Sequence, residues 1–387
     1  MQTGRSEPLR ETLTPASSLT WQDRALSWRD RLFANDRFQR WIATFPLTRR
    51  AARRHAQGAF DLCAGFVYSQ ILAACVELKL LERLAAHPQT AADLARDTAI
   101  PLAAMERLLA AAAALDLVSR RARQRWGLGT KGAGIVGSPG LTDMISHHAL
   151  LYADLRDPVA LLRGQAPETR LANYWPYANG AEPTPPQAQK IADYSRLMAR
   201  TQGMIAHDII DAYPLKKHRR LLDIGGGEGA FVSAVAAAAP DLELALFDLP
   251  AVAVLAEQAL TLANLKDRVT VFGGNFFSST LPQGADIISL VRILHDHDDD
   301  AALMLLRNIH AALPPGGTLL LAEPLSATPG AETIGDAYFG FYLLAMGSGR
   351  PRTADEVAAM LRTAGFRHPR QLRTARPMLV SAIAATA

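Results

Sequence analysis

The residues best able to do chemistry fall in five short groups in the second half of the chain. Asp223 opens the first, in the run LLDIGGGEG, where Gly225, Gly227 and Gly229 alternate to give D-x-G-x-G-x-G. Glycines so spaced let a backbone approach a ligand where any Cβ would collide, and they take positive φ at little steric cost. The spacing is not the G-x-G-x-x-G of a dinucleotide site. Asp248 follows about 20 residues on, where a carboxylate accepts hydrogen bonds from both hydroxyls of a ribose or else caps the helix starting at Pro250. Asn275 and Phe276 in GGNFF make the third group, Arg292, His295 and Asp296 in VRILHDHDDD the fourth, and Glu323 in LLLAEP the fifth. A nucleoside suits Asp248, while Glu228 stands in a loop that would otherwise meet a pyrophosphate. An adenosine carrying a zwitterionic amino acid, as in S-adenosylmethionine, is the better match. The run HDHDDD holds side chains competent to bind metal, but acidic residues also favour a helix N-terminus, and no metal is expected.

The elements that must position these groups alternate. Strand candidates LLDIG, LELALFD, RVTVFG, ADIISLV and TLLLAEP are interleaved with the helical runs GAFVSAVAAAA, LPAVAVLAEQALTLA and DDAALMLLRNIHAAL. That order predicts an α/β fold with a doubly wound, mostly parallel, Rossmann-like sheet over residues 216–387. Ligands in such sheets bind outside the carboxyl ends of the strands, and each of the five groups sits at one such end.

Upstream, residues 58–135 read as a small helical module. Gly65–Ala85 predicts one helix, QTAADLARDTAI a second capped by Thr90 with Asp93, and PLAAMERLLAAAAALDLV a third with Pro101 in its first turn. Short strands across Leu117–Leu128 would form a wing. A winged helix raises the question of nucleic acid. The third helix, however, offers only Glu106 and Arg107 before a run of alanines, which marks a packing helix, and nucleic-acid binding is not expected.

Residues 1–57 form an arginine-rich extension whose Trp28, Leu32, Phe33, Phe38, Trp41 and Ile42 recur at helical spacing. Such a segment either packs on a partner or is drawn to an anionic membrane surface. Residues 136–215 are expected to form a helical connector that contributes to the substrate pocket. It carries the adjacent His147 and His148, which point to different faces and make a poor metal pair, an aromatic cluster of Tyr174, Trp175 and Tyr177, and a long helix Gln187–Tyr213.

Over 387 residues, 49% hydrophobic and 20% charged, the composition is that of a folded chain with a large core, and disorder is excluded for most of it. A net charge of +4 does not by itself require a polyanionic partner. Two cysteines, Cys63 and Cys75, are too few for a disulfide framework, which points to a reducing compartment and a cytoplasmic location. The N-terminus lacks an apolar signal core, and no stretch reaches 18 uncharged apolar residues. Contact with a membrane is therefore expected to be peripheral.

Taken in order, LLDIGGGEG, FDLP, GGNFF, ILHDHDDD and LLLAEP behind a helical N-terminal module resemble the S-adenosylmethionine-dependent O-methyltransferases of the plant caffeate and hydroxyindole type, across most of residues 60–370. LYADLRDPVALLR, YWPY and GDAYFGFYLLAMGSGRPRT are similar to the bacterial branch acting on tertiary hydroxyls of carotenoids. The resemblance implies a winged-helix-like dimerisation domain, an intertwined homodimer and an apolar hydroxylated substrate. It implies His295 as general base with Glu323 beside it. It implies that Asp223, Gly225, Gly227, Asp248, Asn275, Phe276 and Arg292 hold the cofactor. The family's second flanking acid falls near Pro351, where there is no carboxylate, so Asp296 stands in as a third catalytic candidate or as a cap for the following helix. The lysine four positions before the histidine is Val291, and the tryptophan after H-D is His297. Phe66, Tyr68, Phe339, Tyr342, Leu343 and Met346 are candidates to line an apolar substrate tunnel, although a helical stripe of this kind also suits a core. The competing readings are a C-methyltransferase of bacteriochlorophyll precursors, an O-methyltransferase of another small apolar alcohol or phenol, and a winged-helix DNA-binding protein whose sheet senses a nucleotide.

Overall fold

The computed structural model describes residues 20–174, 199, 201–203 and 205–387. Most of the expected helix 187–213, and the side chains of Tyr174, Trp175 and Tyr177, lie outside the described residues. The described residues fall into two compact units, one ending at Ile71 and one beginning at Leu72.

The first unit is helical. Helix α1 (Trp21–Phe33) opens with a capping box in which Thr20 and Asp23 satisfy each other's backbone N–H groups. Helix α2 (Asp36–Thr44) is capped by Asn35, whose side chain accepts from the Phe38 N–H. Helix α3 (Arg49–Glu77) runs unbroken across residues 57 and 58 and into the second unit, ending where Lys79 takes a left-handed conformation. The single helix expected over Gly65–Ala85 is thus two, with α4 at Leu80–Ala86. By length and mean hydropathy α3 is apolar enough to cross a membrane, although every 18-residue window of it includes the charged Asp61.

In the second unit, β1 (Gln89–Thr90), α5 (Ala91–Thr98), α6 (Leu102–Ala114), β2 (Val118–Arg120) and β3 (Arg125–Leu128) complete a winged-helix arrangement, with strands in the order β1-β3-β2. Thr90 caps α5 as expected, whereas Pro101 is the N-cap of α6 instead of a residue inside its first turn. Met105, Leu109 and Ala112 bury one face of α6. Two wing arginines have structural partners: Arg120 lies 4.8 Å over the Trp126 ring, and Arg121 donates to the Leu128 carbonyl.

After α7 (Thr130–Val136), α8 (Pro139–Asp154), α9 (Pro158–Leu162) and α10 (Arg170–Tyr174) comes the large sheet. Its strands are β4 (Arg220–Ile224), β5 (Glu243–Asp248), β6 (Val269–Gly273), β7 (Ile287–Val291), β8 (Thr318–Glu323), β9 (Arg367–Leu372) and β10 (Ser381–Thr386). The spatial order is β6-β5-β4-β7-β8-β10-β9, parallel from β6 to β8 and antiparallel at β10 and β9. Alternation along each strand feeds two cores. Leu221, Leu244 and Leu246 face one, with Phe231 and Val235 of α11 (Ala230–Ala238) and Leu260 of α12 (Pro250–Leu262). Leu222, Ala245 and Phe247 face the other, with Leu305 and Ile309 of α13 (Asp299–Ala312). A π-helix (Thr333–Tyr338) leads into α14 (Phe339–Met346), and α15 (Ala354–Thr363) closes the second face. The strand order reverses between β4 and β7, and the crevice beyond their carboxyl ends is where the sequence groups its polar residues.

Candidate active site

Each of the five parallel strands ends in a polar residue, or in a turn carrying one, on this rim. Asp223 in β4 is buried, its Oδ1 accepting from the Ser289 hydroxyl at 2.6 Å, while its Oδ2 has no hydrogen-bond partner. Burial pushes its carboxyl up to about 7, against the Ser289 hydrogen bond, with the charge of Asp248 adding to the rise. The following loop takes positive φ at Gly225, Gly227 and Gly229. A Cβ at Gly225 would run into the Ile293 side chain, whereas one at Gly227 would meet no atom within 4 Å. The loop is therefore pressed against its own fold at one glycine and open at the next.

Asp248, at the end of β5, ties this loop to its neighbour. It accepts from the Gly227 N–H at 2.8 Å and the Leu249 N–H at 2.7 Å. Removal from water pushes its carboxyl up to about 6, against those two bonds. It is not the N-cap of α12, a position held by Leu249 without a side-chain bond. Two N–H groups use part of a carboxylate's capacity of about four acceptor sites, leaving room for the two hydroxyls of a ribose.

Asn275 accepts from the Phe277 N–H at 2.9 Å, forming a turn that presents Phe276. The Phe276 ring stands edge-on to Phe277 at 4.7 Å and to His297 at 5.6 Å. His297 is buried, and burial lowers its pKa to about 4, so the imidazole is neutral and serves as part of an aromatic wall. Phe277 completes that wall. Its position in the doubled phenylalanine of GGNFF was the available signal, although only Phe276 was singled out from the sequence. Arg292 adopts a left-handed backbone, φ 57°, and its guanidinium donates to the Thr201 hydroxyl at 2.9 Å. Conformations of this kind cost of order 1–3 kcal/mol and cluster at functional sites.

His295 sits in a single 3₁₀ turn between β7 and α13 and is buried. Its Nδ1 bonds the Glu323 Oε2, while Glu323 Oε1 accepts from the Ile293 and Leu294 N–H groups at 3.1 and 2.8 Å. One carboxylate thus fixes both the ring and the turn that carries it. On the other side, Nε2 lies 3.2 Å from Asp296 Oδ1. Burial alone would lower the histidine pKa, but the charges of Glu323 and Asp296 and the Glu323 hydrogen bond outweigh it, and the net shift is upward. Both ring nitrogens can donate at once only in the protonated ring. Burial in turn pushes Asp296 up to about 6, against the attraction of His295. Asp296 does not cap α13, whose N-cap is Asp298.

The turn is clamped from outside by residues the sequence did not single out. Arg352 is buried and donates to the carbonyls of Leu294 and His297 at 2.9 and 2.7 Å and to Asp299 at 2.8 Å. The Arg350 N–H donates to the His295 carbonyl, and the Ser348 hydroxyl to that of Asp296. Gly349 takes φ 76°, and a Cβ there would run into the His295 carbonyl oxygen. The stretch around Pro351 therefore contributes an arginine clamp where a second acid was looked for. Asp298 and Asp299 are likewise engaged, by Gly349, Arg350 and Arg352. Among the described residues, no group of three or more His, Cys, Asp or Glu is placed to hold a metal.

The proposed tunnel residues separate. The Phe339 ring lies 5.8 Å from His295, edge to face, and remains partly exposed. Tyr342, Leu343 and Met346 are buried with Leu151, Leu161 and Leu171 of α8, α9 and α10, the core packing that such a stripe also suits. Tyr342 and Tyr338 also accept or donate hydrogen bonds with His147 and His148, at 2.9 and 2.8 Å. These histidines, read from sequence as a poor metal pair, join α8 to α14 and to the π-helix. Phe66 and Tyr68 belong to the first unit, where Phe66 is exposed and the Tyr68 hydroxyl lies 3.3 Å from Asp61.

This geometry can orient a histidine against two carboxylates beside a loop suited to a nucleoside. A family model described as the O-methyltransferase domain matches residues 152–367, and one described as the O-methyltransferase dimerisation domain matches residues 60–131. Demethylspheroidene O-methyltransferase of Cereibacter sphaeroides is 46% identical, covering 92% of this chain and 93% of its own. The protein of the same name from Rhodobacter capsulatus is 40% identical, covering 92% of this chain and 88% of its own. A solved structure, PigF with SAH, superposes with a TM-score of 0.69 at 25% identity, covering 86% of this chain and 99% of that one. With its motifs, its fold and its relatives in agreement over most of its length, the chain belongs to the O-methyltransferase family.

Proposed function

We propose that the protein methylates the tertiary hydroxyl of a hydroxylated carotenoid of the demethylspheroidene type, with S-adenosylmethionine as donor. The observation that carries this reading is the similarity, over 92% of the chain, to two enzymes named demethylspheroidene O-methyltransferase. The donor fits the residues present: an open glycine at 227, spare acceptor capacity on Asp248, and an orphaned buried carboxylate oxygen on Asp223. When bound, the donor supplies an electrophilic methyl carbon on a sulfonium.

The protein's own part is to orient and deprotonate. Asp248 receives the ribose hydroxyls, Asn275 and Phe276 the adenine, and Gly225, Gly227 and Arg292 shape the loop and rim around them. His295 accepts the hydroxyl proton at Nε2 as the new C–O bond forms, because a tertiary alcohol is too weak an acid to ionise first. Glu323 holds Nδ1–H and stabilises the imidazolium that results. Asp296 shares the Nε2 side and adds to that stabilisation. Residues 58–135 assemble the homodimer, a role supported by the dimerisation model over residues 60–131. The protein acts from the cytoplasm.

The test is direct. Purified protein given S-adenosylmethionine and a tertiary hydroxycarotenoid should yield S-adenosylhomocysteine and a product heavier by one CH₂ at oxygen. Product methylated at carbon, or turnover confined to bacteriochlorophyll precursors, would overturn the reading.

A further inference from the structure

Helices α1 and α2 lie before residue 60, outside both family matches, so the family's catalytic and dimerisation machinery does not account for them. Neither helix buries a single residue, and both expose large apolar side chains: Trp21 is 76% accessible, Trp28 67%, Trp41 53% and Leu47, in the turn beyond, 86%. At 100° per residue, Trp21, Trp28 and Leu32 share one face of α1. Arg24 and Arg31 flank that face on one side and Arg29 on the other, with Asp23 and Asp30 opposite. Helix α2 repeats the plan. Phe38, Trp41 and Ile42, continued by Phe45, form its apolar face; Arg37 flanks it, and Asp36 lies opposite, paired with Arg40. The rings run on as a ladder, Phe33 to Phe38 at 5.8 Å, Phe38 to Trp41 at 5.9 Å and Trp41 to Phe45 at 5.1 Å. Residues 20–57 hold nine arginines and three aspartates, with no lysine or glutamate.

We propose that α1 and α2 form an interfacial anchor that seats the enzyme on an anionic lipid bilayer, with the tryptophan faces at headgroup depth and the arginines on lipid phosphates. Tryptophan suits that depth because its ring is apolar while its indole N–H stays hydrated. Arginine, in turn, forks onto phosphate oxygens. A second copy of the chain is the poorer occupant. An isologous interface sets a patch against itself, which would oppose arginine to arginine across it, whereas an anionic surface complements all of them. The anchor would also bring the enzyme to where a polyene alcohol is dissolved. That benefit rests on the proposed substrate; the anchoring itself does not.

The experiment is flotation of the full-length protein with vesicles of phosphatidylcholine alone or mixed with phosphatidylglycerol. Binding is expected only to the anionic vesicles and should be reversed by high salt, since exposed charges are screened within about 3 Å at 1 M. Of two variants, W28S/W41S should partition roughly tenfold less and R24Q/R31Q/R37Q roughly a hundredfold less, at about 1 kcal/mol for each arginine near an anionic surface. Their mass in solution and their turnover on detergent-dispersed alcohol should not change. Equal binding to neutral vesicles, or none to anionic ones, would overturn the proposal. A tryptophan variant that changed the oligomeric mass would assign the face to a second copy instead. Failure of the detergent assay in wild-type protein would count against the proposed substrate and leave the flotation result readable.

Discussion

At the scale of single residues the site turns on one imidazole between two carboxylates. Because Glu323 and Asp296 together hold the His295 pKa above its ordinary value, the ring is protonated at a pH where a free histidine would be neutral. A base must start deprotonated, so kcat/KM should rise with pH through that raised pKa. Removing either negative charge lowers the histidine pKa, and the rising limb should move to lower pH in Asp296→Asn and in Glu323→Gln. A pH–rate profile unchanged in both variants would separate His295 from the titration. Rate and binding should part company as well. His295→Ala is expected to lower turnover by about 10²–10⁴-fold, the usual range for a positioned base, with donor affinity measured by calorimetry held near wild type. Wild-type-like turnover would remove it as the base. Glu323→Gln should also loosen the turn, because the Ile293 and Leu294 N–H groups depend on the same carboxylate.

Among the elements, what could be read from sequence followed burial. Parallel strands enclosed by helices read as unbroken apolar runs ending at polar residues, so LLDIG, LELALFD, RVTVFG, ADIISLV and TLLLAEP announced β4 to β8 and their chemical ends together. The C-terminal pair was not legible. Strand β9 is the largely exposed RHPRQL at the sheet's edge, and β10 is SAIAAT, rich in small residues without clear strand preference. The clamp was hidden for another reason. Gly349 and Arg352 matter because a loop some 50 residues after His295 folds back on it, and neither periodicity nor motif spacing encodes that return. The partners of His147 and His148 were not legible either: the two point in divergent directions on α8, and Tyr342 and Tyr338, one turn apart on the facing segment, meet them separately. The clamp gives its own prediction. Arg352→Gln takes the donor from the buried His297 carbonyl, worth about 1–3 kcal/mol when unsatisfied, and one of two donors from that of Leu294. It should lower the melting temperature and the turnover number together. Gly349→Ala, which forces a Cβ against the His295 carbonyl, should reduce turnover far more than donor affinity. A Gly349→Ala enzyme with wild-type turnover would show that the clamp does not position the base.

For the molecule as a whole, the proposed donor site links folding to pH. Burial raises Asp223 to about 7 and Asp248 to about 6, from 3.8, so the native state binds these protons more tightly than the unfolded chain. Linkage then has one sign: in the ligand-free protein these two groups favour the fold at pH below their ordinary value, and that contribution is lost as pH rises from about 4 to about 7. A ligand that donates hydroxyls to Asp248 and brings positive charge near Asp223 favours the ionised carboxylates. Its binding must therefore release protons, and its affinity must climb over the same window. S-adenosylmethionine at a hundred times its dissociation constant stabilises the fold by about 2.7 kcal/mol. At one fixed donor concentration the thermal shift should accordingly be larger at pH 7.5 than at pH 5.5. Asp248→Asn, which cannot ionise and loses an acceptor oxygen, should show a smaller shift with a flatter pH dependence. Calorimetric titration in buffers of different ionisation enthalpy reads the released protons directly. Equal thermal shifts at the two pH values, with no proton release, would mean that these carboxylates do not face the donor.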